Sequence, residues 1–119
     1  MARIQFITHA GKQLLYLDFS KADVATVKAT AEEAKPIIAK QPQGSVFTLT
    51  DVSDSQLTPE TSAIFKDFTA HNKPYVKAGA VLGVTGLKKV IFNTVVSVQG
   101  RNLKAFSDMD EAKDWLSKQ

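Results

Sequence analysis

The chain has 119 residues, no cysteine, and fifteen Lys/Arg against twelve Asp/Glu, a formal charge of +3. That length suits one domain, residues 1–119, able to bury a core of its own. The lack of cysteine excludes disulfides, thiolate zinc sites, iron–sulfur clusters and a cysteine nucleophile, and so mild a charge argues for neither nucleic acid nor membrane.

Ile4 and Phe6 alternate with Arg3 and Gln5, which predicts a strand over 3–8. A second is predicted over 13–19, with Leu15, Leu17 and Phe19 on one face and Leu14, Tyr16 and Asp18 on the other. His9-Ala10-Gly11-Lys12 between them reads as the turn of an antiparallel hairpin, where Gly supplies a positive φ. Ser20 then reads as the cap of a first helix, with Asp23 placed as in a capping box. Val24, Val27, Ala31, Ala34 and Ile38 continue at helical spacing, and Pro36 predicts a kink or break.

Ser45–Val52 is a third strand without clean alternation, as expected of one buried on both faces. Thr58-Pro59-Glu60 opens a second helix that carries Ile64, Phe65 and Phe68 and ends near Asn72-Lys73-Pro74. Val76–Val84 is a small-residue strand for the sheet interior. Over Leu87–Gln99 the stripe Leu87, Val90, Ile91, Thr94, Val95 and Val98 predicts a helix facing the core with those residues, with Phe92 and Val96 off the stripe. Gly100 ends that helix. A short strand Leu103–Phe106 follows, then a helix opened by Asp108 and Glu111 with Ala112, Trp115 and Leu116 on its apolar face. The order β-β-α-β-α-β-α-β-α predicts an α/β fold with parallel pairing and right-handed crossovers after the first hairpin.

The apolar run Ala78–Val84 is of strand length, and no stretch reaches the ~18 residues of a membrane span. The first residues lack the apolar centre of a signal peptide, so a cytoplasmic location is expected.

Several segments carry a resemblance: Leu14-Leu15-Tyr16-Leu17-Asp18-Phe19-Ser20, Leu49-Thr50-Asp51-Val52-Ser53, Gly83-Val84-Thr85-Gly86-Leu87-Lys88-Lys89, Phe106-Ser107 and Glu111-Ala112-Lys113-Asp114-Trp115-Leu116. Together with the element order, they resemble the STAS domain of anti-sigma-factor antagonists, and more closely a group of small bacterial STAS-like proteins. The resemblance implies a five-stranded, sequential, mostly parallel sheet with its first strand antiparallel, and a regulatory or interaction module with no catalysis. The same broad fold serves CRAL-TRIO lipid-binding domains. Antagonists of this family carry Asp-Ser-Ser-Gly, with a phosphorylated serine, at the start of the helix after the third strand. Here that place reads Leu57-Thr58-Pro59-Glu60-Thr61, so no phosphosite transfers.

Two loops are candidate ligand or partner surfaces. Asp51, Ser53, Asp54, Ser55 and Thr58 follow a parallel strand, where α/β sheets bind ligands, although Asp and Ser are also ordinary turn formers. Thr85, Gly86, Lys88 and Lys89 form a strand-to-helix junction suited either to an anion or simply to a tight turn. An enzyme built on both loops would bring Asp51 and Lys88 into one pocket. No catalytic set, metal site or cofactor motif is expected, and His9 and His71 read as exposed and unremarkable. From Phe68 through Ser107 there is no acid, while Lys73, Lys77, Lys88, Lys89, Arg101 and Lys104 are present, which predicts a basic face. Expected partners are a protein or a small apolar or anionic, lipid-like ligand, with a homodimer as a further option and nucleic acid disfavoured by the modest footprint.

Overall fold

The computed structural model describes residues 3–119. Strand β1 (Ile4–His9) pairs antiparallel with β2 (Lys12–Asp18). Helix α1 (Val24–Ala39), strand β3 (Val46–Asp51), helix α2 (Pro59–Asn72), strand β4 (Val76–Leu82), helix α3 (Leu87–Gln99), strand β5 (Leu103–Phe106) and helix α4 (Met109–Ser117) follow. The sheet order is β1-β2-β3-β4-β5, and every pair after the hairpin is parallel. Each predicted element is present, and β3 and β4 are interior strands.

This order dictates the layering. The crossovers from β2 to β3, β3 to β4 and β4 to β5 each advance one strand in the same direction. Right-handed connections of that kind place α1, α2 and α3 on one face of the sheet. That face holds the larger core, built on Leu15, Leu17, Phe19, Val27, Ile38 and Phe68. Helix α4 covers the other face, where Leu14, Leu49, Ala78, Ala80 and Leu82 meet Ala112 and Leu116. The alternation within β2 thus separates two cores, Leu15 and Leu17 above the sheet and Leu14 below it.

Three local expectations are corrected. Asp23, not Ser20, caps α1: its carboxylate accepts from the Thr26 amide at 2.8 Å. Lys21, at φ +54°, takes the backbone out of any helix begun at Ser20, and the Ser20 hydroxyl donates instead to Asp18 at 2.5 Å. Helix α1 also runs through Pro36 without a break. Pro36 stands in its last turn, and the carbonyl it deprives of a donor belongs to exposed Glu32, where water can serve.

The histidines are the third correction. His9 Nε2 lies 2.8 Å from Asp114 Oδ1, and neighbouring Lys12 donates to the Gln119 carbonyl at 2.6 Å, so the hairpin turn fastens α4 at two points. His71 is half-buried, with Nδ1 2.9 Å from Asn72 Oδ1 and its ring against Tyr75.

Candidate functional site

The predicted inner stripe of α3 is met in part: Ile91 and Val95 face inward, but its other edge is turned away from the sheet. Leu87 is 72% exposed and Val90 is 62% exposed, and Thr94 is exposed as well. The residues facing inward are Lys88, Ile91, Phe92 and Val95, which keep the same helical spacing but are displaced around the axis. The side chain of Val98 lies outside the described residues. The cause is the connection before the helix. Gly83 at φ +81° and Gly86 at φ +57° set the entry angle, and Lys88 Nζ donates to the Val52 carbonyl at 2.9 Å, which draws that side of the first turn inward. Spacing alone establishes that a stripe exists, but the entry angle selects which neighbouring rows face inward.

Helix α3 packs mainly against α2 and leaves a groove over the sheet. The groove encloses about 820 Å³, part of it open to solvent, and the space that admits the centre of a water molecule is about 100 Å³. Leu17, Thr48, Thr50, Val81 and Leu103 form its floor. Phe65, Phe68, Thr69 and Asn72 of α2 form one wall, and the inward residues of α3 form the roof. Phe19 meets the rings of Phe65 and Phe68 edge-on at 5.2 and 5.8 Å, which fixes that wall. Gly79 keeps the floor low: a Cβ there would come within 2.5 Å of Leu103 Cδ2 and 2.6 Å of Thr48 Oγ1.

The surface of the groove is predominantly apolar, and no Asp or Glu lines it. Two cations do. Lys88 stands at the start of α3 and Arg101 just past its end. Arg101 is only 8% exposed. Its Nη1 donates to the Thr69 carbonyl, and among the described residues no carboxylate lies within ion-pair distance of it. Burial lowers its pKa, because desolvation disfavours the charged form.

The two predicted loops meet at the carboxyl edge of the sheet. Gly83 packs onto Ser53, and Lys88 reaches Val52. Within the first loop most polar groups are already engaged. Asp51 accepts from the Ser53 amide at 2.9 Å, and buried Ser55 donates its hydroxyl to the Val52 carbonyl at 2.8 Å. Thr58 caps α2 in a reciprocal capping box with Thr61. Asp54, at φ +56°, is exposed at the tip. In the second loop Thr85, Gly86 and Lys89 are exposed, and Lys88 alone joins the groove. Asp51 does not line it, so this groove does not bring Asp51 and Lys88 together. The acid-free stretch does not make one basic face either. Lys77 and Lys104 lie over Phe47 and Phe106 on the α4 side, whereas Lys88 and Arg101 serve the groove.

Arg101 is the residue that sequence reasoning missed. Its one signal was an arginine placed directly after a helix-ending glycine within an acid-free stretch.

No protein-family model and no curated protein matches the chain. Among solved structures it is similar to an uncharacterised protein of the DUF3478 family from Shewanella loihica PV-4, described as having a SpoIIAA-like fold. The TM-score is 0.75 at 16% identity, over 95% of this chain and 91% of that one. The fold is SpoIIAA-like. Its five-stranded mixed sheet, with β1 antiparallel and four helices, agrees with the architecture expected from the STAS resemblance. At this level of identity the likeness concerns the SpoIIAA-like fold itself, and function must be argued from the groove. No helix among the described residues is long and apolar enough to cross a membrane.

Proposed function

We propose that this protein is a non-catalytic binding module whose ligand is an elongated, mostly apolar small molecule held between α3 and the sheet. The groove carries this reading. Protein interiors are normally filled to crystal-like density, yet here a helix is held away from the sheet over an apolar floor. Rigid aromatic residues line one side, and a lightly packed helix that can adjust lines the other. A regulatory or carrier role follows from that arrangement. A ligand under α3 would reposition its outer row, where exposed Leu87 and Val90 offer an apolar surface to a protein partner. Non-catalysis is supported by the make-up of the walls, which hold two cations but no acid, cysteine or histidine to act as base or nucleophile.

The test is displacement of a fluorescent apolar probe by neutral single-chain alkyl compounds, with native mass spectrometry for stoichiometry. One ligand per chain is expected, together with a rise in Tm as occupancy rises. Val81→Phe and Thr50→Phe each fill the floor and should abolish binding while leaving the circular dichroism spectrum unchanged. Absence of binding by the wild-type chain, or binding unaffected by both folded variants, would overturn the reading.

A further inference from the structure

We propose that the groove selects a ligand with an oxyanion head, and that Arg101 binds that head. This rests on the groove being a ligand site. Arg101 is more than nine-tenths buried and lines the groove at its α2/β5 end. Nη1 is engaged by the Thr69 carbonyl. Nε and Nη2, which form the side-on fork of a guanidinium, make no hydrogen bond among the described residues. They are not sealed from solvent-sized contact. Such a fork matches the two oxygens of a carboxylate or phosphate in a bidentate arrangement.

A buried cation without a counter-ion is costly, which favours a site where a bound partner supplies the missing charge. The chain supplies none here. Around Arg101 itself, the end of α2, the end of α3 and β5 all belong to the stretch without a single acid. Lys88 is a weaker candidate for the head, because its ammonium already donates to the Val52 carbonyl and it lies at the opposite end of α3. The two cations stand thirteen positions apart, one in the first turn of α3 and one just past its end, roughly 20 Å along the axis. A head at Arg101 therefore lets an apolar tail run beneath Val95, Phe92 and Ile91 toward Lys88.

The experiment compares dodecanoate, dodecyl phosphate and dodecanol, which share one tail, by titration against the wild-type chain and against Arg101→Gln and Lys88→Gln. The wild type should bind at least one of the two anions roughly tenfold or more tightly than the alcohol. The preferred anion distinguishes a carboxylate source from a phosphate one. Arg101→Gln should remove that preference while alcohol affinity stays within about twofold, and Lys88→Gln should keep the preference. If Arg101→Gln does not fold, Arg101→Lys replaces it, and a reduced but measurable preference is expected from a point charge without the fork. Equal wild-type affinity for all three compounds overturns the Arg101 assignment and leaves the groove reading standing. Loss of the preference in Lys88→Gln alone also overturns it. Failure of all three to bind overturns the groove reading itself.

Discussion

The ammonium of Lys88 donates to the carbonyl of Val52, 36 residues earlier, at 2.9 Å. This contact joins the first turn of α3 to the end of β3 across the carboxyl edge of the sheet, at one mouth of the groove. Lys88→Met keeps most of the apolar stem and removes the tie. It should lower stability by about 1–2 kcal/mol, the range of a charged hydrogen bond at a partly exposed site. Amide exchange should accelerate in the first turns of α3 and stay unchanged in β3 and β4. Uniform acceleration across the molecule would show that the contact does not act locally on α3.

Gly83 is required both by its backbone and by its neighbour. Its φ is +81°, and a Cβ would come within 2.5 Å of the amide nitrogen and Cα of Ser53. Those are backbone atoms and cannot swing aside. Gly83→Ala should therefore cost at least about 2 kcal/mol, combining the left-handed penalty with overpacking. Gly86→Ala, with open space around the added methyl but a backbone at φ +57° and ψ −131° that side chains other than glycine's rarely adopt, should cost only the backbone part, about 1–3 kcal/mol. Urea midpoints at constant m-value measure both.

The displaced stripe of α3 predicts opposite responses from two valines five residues apart. Val95 is 5% exposed and faces the groove. Val95→Ala removes two buried methyl groups' worth of packing and should cost about 1.5–2 kcal/mol. Val90, at 62% exposed, should tolerate alanine within about 0.5 kcal/mol. If Val90→Ala cost as much as Val95→Ala, the helix would present the whole stripe that its sequence spacing alone suggests.

Asp23 supplies the pH-dependent contribution that can be isolated most cleanly. Its hydrogen bonds with Thr26, first the one with the Thr26 side chain and then the one accepted from the backbone amide, hold its pKa below the ordinary carboxylate value. A pKa lowered by folding means that the unfolded chain binds the proton more readily. The charged cap therefore contributes stability above the unfolded pKa, and that contribution disappears as pH falls through the lower folded value. Asp23→Asn keeps a good capping residue without the charge. The stability difference between wild type and Asp23→Asn should be present near neutral pH and close on acidification below the usual aspartate range. A gap that persists there would mean the carboxylate acts by something other than its charge.

The amino-acid sequence by itself determined the nine elements and their order, because period-2 alternation, helical spacing, Thr58-Pro59 and Gly100 are local signals with local causes. It also determined the absence of acids from Phe68 through Ser107. Where competing local groups were close together, only the backbone path selected between them. Ser20 and Asp23 both suit a cap, and the positive φ of Lys21 assigned that role to Asp23. Ile91 and Val95 were legible as inward residues of α3, but whether Leu87 and Val90 or Lys88 and Phe92 join them was not, since both rows flank that line at helical spacing. The choice came from the glycines before the helix and from the Lys88–Val52 tie. The groove is likewise a tertiary feature. Thr48, Val81, Phe65, Phe92 and Arg101 come from five separate elements or junctions, and nothing along the chain marks them as neighbours. What the fold added to the acid-free stretch was burial: once Arg101 is packed against Thr69 near the end of α3, its missing counter-charge becomes a property of the groove.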